Sequence, residues 1–320
     1  MTDLSTATAV PNLVEVGTFM GVPRARGVHA GQVAILGLPF DCGTHPTRIG
    51  CRQGPAAFRA ASSEVRPFYP PLADVDPRAG DAVVDLGDVR VTSSEVGPSL
   101  AAIEAAVAAI AEAGAVPLCV GGDGTTTLPV LRALGRRHPG LVLIHIDAHT
   151  DSYPGDGVNT GTTFSRAADE GAVDVGRSFH IGARGTLPIE GAYDYTRSVG
   201  FRVVTGADVR RRGLADVLAE VRAAADGRPV HLSFDLDYID PSAAPGVATP
   251  TWGGPSPAEA FDLLHGLDGL DFVGVDINTL SPPHDVAGMT AMLAGHVALI
   301  ALHLIARGSA ARGNRGGPPS

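Results

Sequence analysis

Lysine is absent from this 320-residue sequence; all 24 basic residues are arginine. That removes the phosphate-binding lysine of a P-loop and the amine required by Schiff-base and pyridoxal-phosphate chemistry. Cysteine is scarce as well. Cys42, Cys51 and Cys119 are an odd number without Cys-x-x-Cys spacing, which argues against a disulfide framework in so long a chain. Aromatic residues make up 5 % of the chain and hydrophobic residues 44 %, so a sizeable core is available but must be aliphatic. Positive charge is outweighed: 34 acidic residues leave a net charge of −10, which disfavours a nucleic-acid partner and would draw cations into a cleft. The first residues show no basic stretch followed by an apolar run, so no secretory leader is expected and the expected location is the cytoplasm. No membrane span is expected: the longest apolar run, near 291–305, is broken by Gly295, His296 and His303 and reads as a buried helix. No Gly-x-Ser-x-Gly elbow is present to support serine hydrolase chemistry.

Between an N-terminal arm (1–30) with little regular structure and a Gly/Pro-rich tail (307–320) expected to be disordered, apolar runs alternate with helical patterns. Strands are predicted at 33–38, 82–86, 116–120, 141–146, 179–182, 202–204, 230–234 and 272–277. These are continuous apolar runs, as strands covered on both faces require. Helices are predicted at 55–61, 99–113, 127–134, 214–225, 257–264 and 288–306, three of them with a proline in the first turn. The expected fold is one α/β domain over 31–306, a mostly parallel eight-stranded sheet with helices on both faces. In such a sheet the ligand lies beyond the carboxyl ends of the strands. Polar loops cluster there: Asp41 to Thr44, Gly87-Asp88, Gly121 to Gly124, Asp147 to Asp151, Gly182 to Gly185, Asp235 to Asp240 and Asp276 to Asp285.

Two of those loops carry chemistry. In an extended chain residues i, i+2 and i+4 share a face, so Asp147, His149 and Asp151 would point one way if their strand persists, and Asp235 with Asp237 likewise. Four clustered carboxylates repel one another and need protons or cations. Two divalent ions would balance them, and oxygen-rich ligation with one imidazole favours manganese- or magnesium-like ions over zinc. A water between two such ions would ionise near neutral pH and serve as a nucleophile.

At these runs the sequence resembles the ureohydrolase family of arginases, agmatinases and related amidinohydrolases. The resemblance covers about 30–306, through Pro39-Phe-Asp-Cys-Gly-Thr44, Arg52-Gln-Gly-Pro55, Gly87-Asp88, Gly121-Gly-Asp123, Asp147-Ala-His-Thr-Asp151, Ile181-Gly-Ala-Arg-Gly185, Ser233-Phe-Asp-Leu-Asp-Tyr-Ile-Asp-Pro241, Ala244-Pro-Gly246, Thr249-Pro250 and Gly253-Gly254. The spacing around Ala244-Pro-Gly246 and the short loop after Asp151 look more like agmatinase and guanidino-acid hydrolases than arginase. The resemblance implies an arginase-like α/β/α fold, a small guanidino substrate split into urea and an amine, one or two Mn²⁺ per chain, and a homo-oligomer. It implies that Asp147 and Asp235 bridge two metals and are catalytic, that His149 and Asp237 complete one metal, and that Asp151 belongs to the other.

Three positions depart from the family pattern. Gly124 stands where the family has a metal-binding His. Thr160 stands in place of a His associated with proton transfer or substrate contact, and Thr279 in place of the Glu that grips the guanidinium. Thr160 and Thr279 are therefore candidate substrate contacts. Two readings stay open: an active amidinohydrolase, or a catalytically impaired relative serving as oligomer partner, regulatory or binding protein. Among other residues, the glycine-rich turn at 121–124 could cradle a phosphate or simply be tight. His45 and His284 lie in loops on the expected active face and could stand in for the lost ligand. His145 and His231 read as buried, hydrogen-bonded core residues.

Overall fold

The computed structural model describes residues 8–14, 17–42, 45 and 47–315. In chain order the strands are β1 (Thr8–Ala9), β2 (Leu13–Val14), β3 (Gly27–Val28), β4 (Val33–Gly37), β5 (Val83–Val89), β6 (Val116–Val120), β7 (Val142–Ile146), β8 (Phe179–Ala183), β9 (Arg202–Thr205), β10 (Pro229–Asp235) and β11 (Asp271–Asn278). The helices are α1 (Gly54–Ser62), α2 (Val96–Glu112), α3 (Thr127–Arg137), α4 (Thr163–Asp169), α5 (Ala192–Val199), α6 (Gly206–Arg212), α7 (Leu214–Ala225), α8 (Pro257–Gly266) and α9 (Met289–Arg315). All eight predicted strands pair in parallel in the order β5-β4-β6-β11-β10-β7-β8-β9, and two-residue β2 adds antiparallel to the outer edge of β5.

Each continuous apolar run divides between the two faces of the sheet. In β7, Val142, Ile144 and Ile146 pack on one side and Leu143 on the other; in β4, Ile35 faces one side and Ala34 and Leu36 the other. Helices α1, α7, α8 and α9 cover the first face, and α2, α3 and α4 the second. Residues Met289–Gly308 of α9 are long and apolar enough to cross a membrane, with a mean hydropathy of 1.9, but 72 % of that window is buried within the fold, as expected of a core helix.

Three sequence-based boundaries are corrected. The arm is partly ordered: β2 joins the main sheet, β1 pairs with β3, and Phe19 is fully buried. Helix α9 continues to Arg315, so the expected disordered tail is helical over most of its length, while 316–320 lie outside the described residues. Gly87-Asp88 belongs to β5 rather than to a ligand-side loop. Its partner there is Arg59, which donates to both oxygens of Asp85 (2.9 and 3.0 Å), to Asp88 and to the Gly87 carbonyl at 2.8 Å. Arg59 and Asp85 are buried, and burial opposes the charge of Arg59 while the two aspartates more than restore it.

Removing one partner from a buried charge cluster strands the others without compensation. Arg59→Ala is therefore expected to lower unfolding free energy by about 3–5 kcal/mol, read by denaturant unfolding. A loss below about 1 kcal/mol would show that Asp85 and Asp88 are stabilised without it.

Candidate metal centre

Sheet register assembles the centre. Phe234 pairs with Ile146 on the neighbouring strand, so the next residues, Asp235 and Asp147, emerge side by side. Across β10, Asp235 pairs with Asn278, and Ile277 pairs with Val120. Asp147, Asp235, Asn278 and Gly121 thus form one row at the carboxyl edge, with adjacent strands about 4.8 Å apart.

The strands do not persist as the i, i+2, i+4 expectation required. β7 ends at Ile146, and Asp151 turns into the left-handed region at φ 42°. β10 ends at Asp235 and is followed by a single 3-10 turn, Leu236–Tyr238. The turns themselves bring the carboxylates inward and supply donors. His149 N–H donates to Asp147 Oδ1 at 2.7 Å, Asp237 N–H to Asp235 Oδ1 at 2.8 Å, and Ala148 N–H to Asp237 Oδ1 at 3.3 Å. Asp147, His149 and Asp237 each offer a ligand atom within 4.8 Å of the other two. His149 Nδ1 lies 3.2 Å from both Asp147 Oδ1 and Asp237 Oδ2, where a proton or a metal ion can join them. Asp147 Oδ2 is 3.0 Å from His145 Nε2 but misaligned for a hydrogen bond, and it is left buried without one.

The electrostatics follow. Burial, then the negative charge of Asp147, raises Asp151 well above the ordinary carboxylate range. Burial and the charges of Asp237 and Asp147 do the same to Asp235. Asp237 is pushed up to about 6 by burial and by Asp147. Burial works against a charged His149, yet Asp237 and Asp147 outweigh it and hold the imidazole well above its usual range. Asp147 moves the other way: burial opposes its charge, but His145 and His149 hold it well below the ordinary range. An orphaned carboxylate oxygen and three carboxylates forced toward their protonated forms are what a divalent cation would relieve, so the residues present fit such an ion.

The two halves of the centre differ. On the His149 side, Thr251 Oγ1 lies 3.1 Å from His149 Nε2 and sets the ring, the partner expected of a metal-binding imidazole. Arg184 Nη2 donates to the carbonyls of Asp237 (2.7 Å) and Thr251 (2.8 Å) and ties both loops together. On the Asp151 side, Gly124 has the 3-10 helical backbone that any residue accepts. A Cβ there would stand 3.0 Å from Asp151 Oδ2 and 2.9 Å from the Thr160 methyl, so position 124 faces the centre and the Thr160 side chain crowds the space. Thr279, at φ 66°, donates to Asp235 Oδ1 and steadies that carboxylate from a backbone region that β-branched residues rarely enter.

Four of the five predicted ligands, His149, Asp151, Asp235 and Asp237, line a cavity of about 580 Å³ together with Thr160 and Thr279, while Asp147 lies behind them, grouped with His149 and Asp237. His45 also lines it, whereas His284 is held by Ser281 (2.8 Å) outside the lining. His145 is hydrogen-bonded to His180 (2.8 Å) and His231 to Asp276, both in the core as expected. The glycines at 121 and 122 serve tight packing rather than a phosphate: a Cβ would meet Asn278 Oδ1 at 2.0 Å and the Phe40 carbonyl at 1.4 Å. Sequence reasoning missed Thr251, Arg48 and the role of Asp123, which accepts from Cys42 N–H at 2.7 Å and Thr125 N–H at 3.1 Å. Spacing gave no sign of Thr251, because its contact with His149 joins residues 102 positions apart.

Comparison with known proteins agrees with this geometry. The family model described as "Arginase family" matches residues 31–303. The chain is 39 % identical over 308 residues to guanidinopropionase of Pseudomonas aeruginosa, covering 95 % of this chain and 96 % of that protein. It is 37 % identical over 287 residues to the human mitochondrial guanidino acid hydrolase, covering 89 % of this chain and 81 % of that one. Among solved structures it is similar to proclavaminate amidino hydrolase from Streptomyces clavuligerus, with a TM-score of 0.84 and 32 % identity over 93 % of this chain and 99 % of that one.

A carboxyl group whose folded pKa is raised stabilises the fold below its unfolded pKa and loses that contribution as pH rises through the folded value. Asp151, Asp235 and Asp237 all shift this way, and the raised His149 loses its contribution in the same direction. Chelator-stripped protein is therefore expected to melt at lower temperature at pH 7.5 than at pH 5.5, with added Mn²⁺ raising the pH 7.5 value and so removing the difference. A stripped protein whose melting temperature is flat or rising across that interval would contradict the electrostatics of the site.

Proposed function

Because the chain belongs to the arginase family of ureohydrolases, we propose that it is an amidinohydrolase-type enzyme that cleaves a guanidino C–N bond to give urea and an amine. The observation that carries this reading is the buried row of Asp147 and Asp235 with His149 and Asp237 beside it, open to a cavity large enough for a small guanidino compound.

We assign Asp147, His149, Asp235 and Asp237 to one divalent cation, and Asp151 with the shared Asp147 and Asp235 to a second, weaker position. The oxygen-rich set with one imidazole favours Mn²⁺. When bound, such a cation supplies Lewis acidity and acidifies water at neutral pH. The chain supplies the rest. Thr251 sets the His149 ring, Thr279 fixes one oxygen of Asp235, and the backbone N–H groups of His149 and Asp237 hold the carboxylates in their turns. Ile49, Leu187, Pro188 and Ile189 give the cavity an apolar share of its lining, against which the aliphatic part of a substrate can rest. Thr160 and Thr279 line the cavity as neutral groups, so the guanidinium meets hydroxyls where the family pattern has a His and a Glu.

A second reading rests on those substitutions: with Gly124, Thr160 and Thr279 in place, the chain would bind metal and substrate-like molecules without turnover. A urea-release screen over guanidino compounds with Mn²⁺-loaded protein separates the two. Loss of one charge-assisted bond costs about 1.5–3 kcal/mol. We therefore expect measurable urea with kcat/KM about 10–100-fold below that of the Pseudomonas guanidinopropionase. No urea from any guanidino compound, with metal fully bound, would overturn the enzyme reading and favour the second. The double variant Gly124→His with Thr160→Ser restores an imidazole and removes the obstructing methyl. It should lower the Mn²⁺ concentration for half-maximal activity by about 10–100-fold; an unchanged metal requirement would show that position 124 does not reach the second cation.

A further inference from the structure

A second cavity, of about 340 Å³, shares no lining residue with the one over the aspartates. Arg184 and Arg210 line it, and Val209, Leu214 and Pro255 give it an apolar share. Arg184 is 9 % exposed. Its Nη2 is engaged by the carbonyls of Asp237 and Thr251, but its Nε and Nη1 are buried without a hydrogen-bond partner among the described residues. Buried donors on a charged group are costly to leave unmatched. Burial accordingly pulls the Arg184 guanidinium below its usual range, against the opposing charges of Asp237 and Asp147.

Arg210 converges on the same space. A Cβ on Gly206 would stand 3.6 Å from Arg210 Nη1 and 3.8 Å from Arg184 Cδ, so the bare glycine is flanked by both arginine side chains. The next arginines along α6 are paired, Arg211 with Asp208 at 2.6 Å and Arg212 with Asp216 and Glu220, both at 2.7 Å. No carboxylate among the described residues forms an ion pair with Arg184 or Arg210, and the bond of Arg210 to the Gly253 carbonyl is long, at 3.5 Å. Two carboxylates do line the cavity, Glu259 and Asp262, and both are exposed. Glu259 accepts from the backbone N–H and the hydroxyl of Ser256, both at 2.8 Å, in the cap of α8. Solvent screens charges so placed, and they leave Arg184 uncompensated. They do disfavour a dianion such as phosphate.

We propose that this cavity binds a small monocarboxylate on Arg184 and Arg210, and that its occupancy is felt at the metal centre. A carboxylate offers acceptor oxygens to planar guanidinium donors and neutralises the buried charge. The route to the centre is short. The guanidinium that would hold the anion also holds the carbonyl of Asp237, a proposed ligand, and that of Thr251, which sets His149. An anion on Arg184 offsets the repulsion between that arginine and a cation beside Asp237, so anion and Mn²⁺ should each tighten the binding of the other by the same factor.

Acetate is the probe, titrated calorimetrically into the full chain, first stripped of metal, so that it has no bound ion to ligate, and then loaded with Mn²⁺. Wild type should bind it saturably in both states. Arg210→Gln should weaken binding about 10-fold, the low end for a charge-assisted contact because the side chain is exposed. Gly206→Leu should abolish it by filling the gap, from a position where a Cβ meets nothing closer than 3.4 Å and the fold can accept it. Equal acetate affinity in all three proteins, or chloride competing as well as acetate, overturns the carboxylate site. So does a wild type that binds no acetate but forms an oligomer that both variants dissociate, as read by light scattering; the arginines would then meet a side chain of a second copy. For the coupling, saturating acetate should tighten Mn²⁺ binding about fivefold in wild type and leave Gly206→Leu unchanged. An Mn²⁺ affinity in wild type that acetate does not move overturns the link to the metal centre.

Discussion

The repulsion among four buried carboxylates governs the rest of the molecule. Parallel register sets Asp147 beside Asp235, and the turns after each strand add Asp237 and Asp151 to the same enclosed space. In a medium of low effective dielectric, such charges cannot all persist without a counterion. Much of the local architecture reduces that cost in part. Backbone N–H groups point at Asp147, Asp235 and Asp237, Thr279 accepts a strained backbone to reach Asp235, and His149 sits between two carboxylates. The remaining imbalance is what makes a divalent cation the natural occupant.

That balance is uneven across the site. The His149 side has an imidazole, a hydroxyl that fixes it, and an arginine that ties its loops to each other. The Asp151 side has a carboxylate, a glycine where a side chain would point inward, and a threonine methyl in the intervening space. Backbone strain does not explain the glycine, since position 124 is helical. The substitution therefore acts on ligand chemistry, and of the two cation positions proposed above the one on the Asp151 side would be the weaker.

The eight parallel strands were readable because most are short, mainly apolar runs without strict alternation, such as 116–120, as expected of strands buried on both faces. The short helices α4, α5 and α6 were not, because seven or eight residues with few buried positions carry little periodic signal. The helical extension to Arg315 hid behind glycines that normally mark a stop. At the site, alternation along an extended strand suggested the neighbours of Asp147 and Asp235, whereas the structure brings them near through tight turns. Thr251 and Arg48 stayed hidden because their partners, His149 and Val247, lie far away in sequence.

The most direct test of this account is a calorimetric titration of Mn²⁺ into stripped wild-type protein at constant pH, with Asp235→Ala alongside. The account predicts one tight site per chain and a second that is weaker by about 10–100-fold, the scale set by losing a partner at a metal centre, with both reduced sharply in Asp235→Ala. Two sites of equal affinity would contradict the asymmetry, and no binding at all would contradict the premise that a cation balances the buried carboxylates.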